Sequence, residues 1–493
     1  MKSFLNKFYL LGLIMALSMV SCDEGFEELN LNPTQANDLD PKFQFSYVQL
    51  QTSGERYENW RAVLIYSSTM VQHLSALATY WSGDKYLFNS GYSSSLFDRA
   101  YNNYIKDIQD LINNLETSGE NPEMLAMARI WRVVAFHRVT DIYGDIPYSE
   151  AGKGYIDGIT APKYDAQEDI YKDMVAELES AIGQLSGGGR SFGSADFIYG
   201  GNTDQWRKFA NSMLLRLGMR MSKADPAAAE AAVRKAISGG VMTSNADIAM
   251  IQHSSGPEGI NQNGIGQVFL ADDNQRMSKT FIDWMANHND PRIDVLGYMA
   301  VGGAQVGLPN GYDAQTISSY GSDDLNTYSR VNPKLVTVDA PMIFMTYAEV
   351  ELLLAEAALR GWHSGDAATH YNNGVKAAIQ QWEVYDASLA ISDADADAYL
   401  AANPFSASEG MRMIGEQYWA ATFLNEYEAY ANWRRTGYPA ITPTDYPGNQ
   451  SNSQVPRRLR YPDSEYGING DNIQAAISRQ GPDEFTTRMW WDK

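Results

Sequence analysis

Apolar residues recur at steps of three and four along most of this chain, which is the spacing of amphipathic α-helices. The clearest segment starts at Asn121-Pro122-Glu123, where a capping residue, a proline and an acid mark a helix N-terminus, and it ends at Gly144. Further segments with this periodicity cover 98–116, 165–185, 204–221, 226–238, 347–360, 366–384 and 408–435. The pattern predicts an all-α, mostly helical protein.

Several neighbouring helical segments are separated by short turns, which predicts antiparallel helical hairpins. The segment 347–380 has about the 34-residue period of a tetratricopeptide repeat. Large and small side chains that would interlock in such a hairpin are Leu353, Ala357, Ala368, Tyr371 and Ala378. The other pairs share the design without a sharp consensus. We therefore predict a few degenerate tetratricopeptide-like hairpins stacked together, not a regular array.

Two regions depart from helical periodicity. Residues 239–340 are rich in glycine, asparagine, aspartate and serine, and residues 436–493 are rich in loops and proline. Long irregular segments inside a domain are often functional. Neither region has the composition of a flexible linker, so we predict one continuous domain over 22–493. In this domain the hairpins support a loop-rich variable half.

The N-terminus has the pattern of an export signal. A charged start with Lys2 and Lys7 leads into the apolar run 8–20, which is too short to be a comfortable transmembrane helix. Cys22, the one cysteine of the chain, follows a small residue. We predict a bacterial lipoprotein in which the signal peptide 1–21 is removed and Cys22 is acylated. A cleaved signal peptide with an incidental cysteine is the alternative. The acidic leader at about 22–40 would be a tether.

Composition narrows the classes of function. The formal net charge is −22 at pH 7 and no basic stripe interrupts it, which disfavours binding to nucleic acid or to an anionic membrane surface. A single cysteine excludes an intramolecular disulfide and a thiolate metal cluster. We therefore expect no nucleic-acid partner, and contact with the membrane only through the lipid anchor.

The sequence lacks the common motifs for catalysis and metal binding. It contains no G-x-S-x-G elbow, no G-x-x-x-x-G-K-[ST] loop and no H-E-x-x-H pair. The six histidines show no ligand spacing, and His137 is interpreted as a core group. Asp393-x-Asp395-x-Asp397 resembles the start of a calcium loop, but Ala398 stands where glycine is required, which favours an acidic helix start. We predict no catalytic residue, no cofactor and no metal site.

Two other classes of function stay open. The chain is so rich in acids that a carboxylate pair for glycoside hydrolysis would not stand out in the sequence. A surface glycoside hydrolase of helical fold is therefore one alternative. A scaffold lipoprotein that binds only proteins is the other.

Aromatic and polar side chains are concentrated in a predicted loop at 78–86. An aromatic ring offers its face to the C–H bonds of a sugar, and a peptide could use the same surface. The candidate ligand-binding residues of this loop are Tyr80, Trp81, Asp84 and Tyr86, and those of the irregular region are Tyr298, Tyr312 and Tyr320. We expect the loss of Trp81 to weaken binding and to leave the fold intact. Packing in a local core is the alternative for both sets.

Several segments in order resemble the SusD/RagB family, in its SusD-like branch. They are 129–147 (RIWRVVAFHRVTDIYGDIP), 206–220 (WRKFANSMLLRLGMR), 340–361, 431–439, 455–462 and 488–492, together with the Asn-rich leader 30–34. In the leader, Thr34 stands where asparagine is common in the family. The resemblance runs from Cys22 to the C-terminus.

The resemblance implies a helical fold in which four tetratricopeptide-like pairs cradle a variable half. It also implies a lipid-anchored protein at the surface of the outer membrane, which captures oligosaccharides or peptides without catalysis. Such proteins deliver the ligand to a TonB-dependent SusC-like outer-membrane transporter. Ligands of relatives lie on loops of the variable half, at chain positions comparable to the loop around Trp81 and to 298–328 here.

Overall fold

Helices form most of the framework in the computed structural model, which describes residues 39–119, 121–185, 187–257 and 259–493. The longer helices are α1 Pro41–Thr52, α2 Lys106–Ser118, α3 Pro122–Tyr143, α4 Gln167–Gln184, α5 Thr203–Arg220, α6 Pro226–Gly239, α7 Gly264–Ala271, α8 Lys279–Asn287, α9 Tyr347–Leu359, α10 Ala367–Gln380, α11 Asp393–Ala402, α12 Gly410–Ala421, α13 Glu426–Thr436 and α14 Gly470–Gln480. Shorter helical pieces include Arg56–Glu58, which continues into a π-helical segment, Asn59–Ser68. Cys22 and the predicted signal peptide lie outside the described residues.

Short antiparallel ribbons complete the described structure. The strands are β1 Leu74–Ala76, β2 Ile146–Pro147, β3 Tyr164–Asp165, β4 Ala249–Gln252, β5 Gln275–Met277, β6 Gly297–Tyr298, β7 Arg330–Val331 and β8 Pro341–Met345. They pair as β1 with β5, β2 with β3, β4 with β8 and β6 with β7. The β4–β8 ribbon joins the two ends of the irregular region, so the chain leaves the helical framework and returns to it at one place.

Antiparallel hairpins pack against one another, and the predicted all-α fold with tetratricopeptide-like pairs is confirmed. The hairpins are α2 with α3, α5 with α6, α9 with α10, and α12 with α13, while α4 packs on both α3 and α5. In α9 and α10 the close approach depends on Gly374, because a Cβ there would lie 2.9 Å from Cγ of Leu352. The assignment of 22–493 to one domain stays a prediction.

Local signals set several of the helix ends. Gly144, with φ of 86°, ends α3, and the Asp225 side chain accepts a hydrogen bond from the Ala228 amide at the start of α6. Asn121 precedes α3, but its side chain makes no capping hydrogen bond. Ser392 caps α11, so the Asp393 run is an acidic helix start as predicted.

The prediction of one helix over 408–435 is wrong. Two helices, α12 and α13, occupy this segment, and Leu424 between them has a φ of 68°. Phe423 and Leu424 are both buried, so the turn continues the apolar pattern of a helix. Hydrophobic periodicity does not distinguish such a buried turn from a helical turn.

Buried arginines and carboxylates join the hairpins. Arg220 on α5 donates through Nη2 to Glu428 on α13 at 2.7 Å, and its Nε lies 3.2 Å from Oδ2 of Asp141 on α3. Arg216, one turn earlier, contacts Glu349 on α9 at 2.7 Å. Burial alone would raise the pKa of Glu428, but the two guanidinium groups hold that pKa below its usual value. The carboxylate therefore stays charged between its arginines.

Further contacts extend this network to the outer hairpins. The hydroxyl of Tyr418 on α12 lies 2.7 Å from both Glu349 and Glu428. Arg435 on α13 makes two hydrogen bonds of 2.7 Å to Glu356 on α9. Each of these charges is buried, so the loss of one partner would leave another without compensation.

The C-terminal region packs back onto the framework. Trp491 is fully buried, and its Nε1 donates to Asp141 at 3.1 Å. The Arg434 guanidinium lies 5.0 Å from the centre of the Trp491 ring. Through Trp491, the loop-rich region 436–493 covers one end of the buried charge network. The same region also contains the helix α14.

Glu58 links the Arg56–Glu58 helix to α13. Its Oε1 accepts a hydrogen bond from the Tyr427 hydroxyl at 3.1 Å. Burial raises the pKa of Glu58 to about 7, against the opposing charges of Arg99 and Arg138. Near neutral pH this carboxyl group therefore changes charge inside the core.

We expect Arg220→Ala to lower the free energy of unfolding by about 3–5 kcal/mol, because it leaves Glu428 and Asp141 buried with one cation fewer. Urea unfolding followed by circular dichroism measures the change. Lys172→Ala is the matched control, because Lys172 pairs with Glu168 at the exposed surface and its loss should leave the urea midpoint nearly unchanged. Equal losses in the two variants would contradict a central role for the network.

Glu58→Gln should change how stability depends on pH. The pKa of Glu58 in the folded chain lies above its unfolded value of about 4.5. The contribution of Glu58 to the free energy of unfolding is therefore fully present below about pH 4.5 and is lost as the pH rises through about 7. Between about pH 5 and pH 8 the stability of the variant relative to the native chain should rise by roughly 3 kcal/mol. Urea midpoints at the two pH values measure this, and a constant difference would contradict it.

Candidate functional site

The structure brings together the two segments in which the sequence placed ligand-binding residues. Strand β1, just before the loop 78–86, pairs with β5. Asn310 donates to the Leu74 carbonyl at 2.8 Å and to Oδ2 of Asp84 at 3.2 Å. Ser75 donates to the carbonyl of Pro309 at 2.9 Å. The loop 78–86 and the preceding β1 therefore pack against the segment 308–312.

Trp81, Asp84 and Tyr86 are buried, which differs from the prediction that they contact ligand. The Nε1 of Trp81 donates to Oδ2 of Asp272 at 2.9 Å. Lys85 lies 3.0 Å from Asp84, and the Tyr86 hydroxyl accepts a hydrogen bond from the Thr444 amide at 3.2 Å. A ligand has no access to these three side chains, so their contacts hold the loop in place. The burial of Trp81 also contradicts the expectation that its loss leaves the fold intact.

Tyr80 is the exposed aromatic residue of this loop, and two others join it. The rings of Trp60 and Tyr80 meet edge to face at 6.2 Å, and Tyr57 and Trp60 stack at 6.4 Å between ring centres. Tyr57 is 47% exposed and Tyr80 38% exposed. Tyr57, Trp60 and Tyr80 therefore make an aromatic strip at the surface.

The sequence analysis missed two members of the aromatic strip. Tyr57 and Trp60 are three residues apart, a spacing that places side chains on one face of a helix. Arg56 and Arg61 flank them, and the Arg61 guanidinium lies 5.0 Å from the centre of the Tyr57 ring. This spacing was the available signal, but it does not reveal that Tyr80, from another segment, extends the strip.

Polar groups lie at the Tyr80 end of the aromatic strip. The Tyr80 hydroxyl donates to Oδ2 of Asp272 at 2.9 Å and accepts from Nδ2 of Asn274 at 2.8 Å. Burial, followed by the hydrogen bond to Asp272 and the Asp272 charge, raises the pKa of Tyr80 to about 12, so the phenol keeps its proton. An exposed ring fixed by its hydroxyl, beside an amide and a carboxylate, can contact both the apolar face and the hydroxyl groups of a sugar.

A second aromatic group lies in the irregular region. The rings of Tyr312 and Tyr320 are 4.7 Å apart at an angle of 38°, and Tyr320 is 67% exposed. A small apolar cluster packs beneath Tyr312, and it consists of Leu77, Leu308, Ile317 and Tyr328. Leu77 belongs to the segment that leads into Tyr80, so both aromatic groups depend on the same part of the backbone.

Tyr298 is in β6, opposite Arg330 of β7, and is 44% exposed. Within the described residues it makes no ring contact with Tyr312 or Tyr320. A nearby cavity of about 400 Å³ is lined by side chains of α7 and β7 and by the segment 336–338. It includes Asp273, which forms an ion pair of 2.7 Å with Arg330. Asp273, which lines the cavity, directly follows Asp272 in the sequence. The cavity can therefore extend the surface available to a ligand.

Among the described residues, one group of a histidine and two carboxylates resembles a metal-binding arrangement, and it belongs to the core. One ligand atom from each of His137, Asp141 and Glu428 lies within 4.8 Å of the others. Arg220 contacts both carboxylates, and Nε2 of His137 lies 3.0 Å from Asp141. The carboxylates are already neutralised by buried cations, which disfavours a metal ion there. His137 is a core group, as the sequence predicts.

Comparisons with known proteins agree with this architecture. A SusD-like family model, described as starch-binding associating with outer membrane, matches residues 33–462. A solved chitin-binding protein is 36% identical, with a TM-score of 0.85 and coverage of 92% of this chain and 100% of its own. No curated protein matches the chain.

Two further solved structures are similar across nearly the same length. A chitin-binding SusD homolog from Flavobacterium johnsoniae is 26% identical with a TM-score of 0.80, and the match covers 92% of this chain and 98% of that one. A SusD homolog from Bacteroides uniformis ATCC 8492 is 27% identical with a TM-score of 0.78, and the match covers 92% and 100%. The chain belongs to the SusD/RagB family.

Proposed function

We propose that this chain is a carbohydrate-binding lipoprotein of the cell surface that captures oligosaccharides of N-acetylglucosamine without cleaving them. The aromatic strip of Tyr57, Trp60 and Tyr80, beside Asp272 and Asn274, is the observation that carries the proposal. The names of the two chitin-binding relatives support this choice of ligand class.

The chemistry of such a ligand matches the strip. A β-linked sugar chain is extended and presents C–H faces along its length, so adjacent rings can stack on it. Asn274 is partly exposed at one end of the strip and offers a polar contact there, while the buried carboxylate of Asp272 holds the Tyr80 hydroxyl in place. Few contacts of this kind give moderate affinity, which suits a protein that must release its ligand.

Delivery to a transporter is the second part of the proposal. Family membership supports a TonB-dependent SusC-like outer-membrane transporter as the partner. No helix in the described part of the chain is long and apolar enough to cross a membrane. In this proposal the acylated Cys22 and the acidic leader hold the protein at the outer membrane.

Tyr80→Ala and Trp60→Ala should each weaken binding of an N-acetylglucosamine oligosaccharide about tenfold, which corresponds to about 1.4 kcal/mol, because each removes a stacking surface. Isothermal titration calorimetry measures the affinity. Tyr80→Phe keeps the ring and loses the hydrogen bonds to Asp272 and Asn274, so it should lose less. Tyr155→Ala is the control, because Tyr155 is 98% exposed on the separate Gly154–Asp157 helix.

Other ligands in the same titration separate the alternatives. Tighter binding of a maltooligosaccharide or a peptide than of the N-acetylglucosamine oligosaccharide would contradict the proposed ligand class. Unchanged affinity in both strip variants, with a loss in Tyr320→Ala, would move the site to the Tyr312–Tyr320 pair. New reducing ends during incubation would contradict binding without catalysis and favour the glycoside hydrolase.

Cys22→Ser should move the protein from the membrane fraction to the soluble fraction, because the thiol that carries the lipid is lost. Fractionation of cells followed by immunoblotting measures the distribution. Ser21→Ala keeps a small residue before the cysteine and should leave the protein in the membrane fraction. Membrane association that persists in Cys22→Ser would indicate attachment through another part of the chain.

A further inference from the structure

Two histidines meet at the turn between α9 and α10. His363 lies in the turn and His370 in the first turns of α10, and their Nε2 atoms are 3.0 Å apart. Seven positions separate them in the sequence, which is not a ligand spacing within one helix. The fold of the turn therefore creates a pair that the sequence analysis did not predict.

Gly365 allows the two imidazole rings to meet. A Cβ at this position would lie 2.4 Å from Nε2 of His363 and 2.5 Å from Nε2 of His370. Its φ lies outside the left-handed region, so backbone conformation does not require glycine there. The space beside both nitrogen atoms is the feature that a larger residue would remove.

Glu351 on α9 fixes the orientation of His370. Its Oε2 lies 2.7 Å from Nδ1 of His370. A carboxylate accepts hydrogen bonds, so Nδ1 carries the proton and Nε2 of the neutral ring carries the lone pair. A histidine that donates one N–H to a carboxylate and presents its other nitrogen is the usual arrangement of a metal ligand.

His363 is also suited to be a ligand. Both histidines are only partly buried, which leaves room for water at further coordination positions. In the absence of a metal, the Nε2–H group of His363 can donate a hydrogen bond to Nε2 of His370. When a metal binds, the proton of the neutral His363 ring must be on Nδ1, so that Nε2 is free to coordinate.

The geometry points to a binding site for one first-row transition dication, such as Zn²⁺, Ni²⁺ or Cu²⁺, held by Nε2 of His363 and Nε2 of His370. Imidazole suits these ions, and a separation of about 3 Å between two nitrogen ligands agrees with metal–nitrogen bonds of about 2.0–2.1 Å. The ion would join the turn to α10 and so close the α9–α10 hairpin. This site is independent of the proposed carbohydrate function.

Titration of the mature chain with Zn²⁺ and with Ni²⁺ tests the site. The protein carries Cys22→Ser to remove its one thiol, and it has no polyhistidine tag. We expect saturable binding of one ion per chain by calorimetry, and a Cu²⁺ electron paramagnetic resonance spectrum with coupling to two imidazole nitrogens. His363→Ala and His370→Ala should each abolish the one-to-one binding, and Glu351→Gln should weaken it about 10- to 100-fold.

Two further variants keep the test independent of folding. Gly365→Ala keeps both histidines but fills the space beside their nitrogens, so it should reduce the affinity while circular dichroism stays unchanged. His288→Ala is the matched control, because His288 is also half-buried and contacts the Trp284 carbonyl instead of another histidine. Absence of saturable binding in the native site, or one-to-one binding that survives in His363→Ala or His370→Ala, would overturn the inference.

Discussion

Arg216 and Arg220 are two buried cations on one face of α5, and the stacking of the hairpins depends on where their carboxylate partners lie. Glu349, Glu428 and Asp141 come from α9, α13 and α3, so one pair of guanidinium groups connects four helices. A buried charge is costly unless it is paired in good geometry. The network therefore favours one arrangement of the hairpins over others of similar apolar burial.

This framework explains how an irregular region can carry a defined surface. The β4–β8 ribbon returns the chain to the helices, and β1 and β5 bring the loop 78–86 against the segment 308–312. Buried polar side chains such as Asp84 satisfy the backbone and amide groups of this contact. The exposed aromatic rings therefore stand on a packed base, although regular secondary structure is scarce around them.

The candidate site combines residues of two kinds. Trp81 is fully buried and Tyr80 is exposed, yet both donate to the same oxygen of Asp272. The buried neighbour and the shared acceptor restrict the Tyr80 ring, which lowers the conformational entropy lost when a sugar stacks on it. The turn between α9 and α10 also combines a positioning residue with partly exposed groups. Glu351 orients His370, and the Nε2 atoms of His363 and His370 face each other.

The sequence alone determined the helical class, the approximate limits of α3 to α6, α9 and α10, the tetratricopeptide-like pairing and the family, because these depend on local periodicity, capping and ordered motifs. It also pointed to the loop 78–86 as a candidate site, through its density of aromatic residues. Only the tertiary structure decided that Trp81 is buried while Tyr80 is exposed, that Tyr57 and Trp60 extend the surface of Tyr80, and that α12 and α13 are separate helices. It alone placed His363 beside His370. The physical reason is that burial and proximity between distant residues depend on packing across the whole chain, which local patterns do not encode.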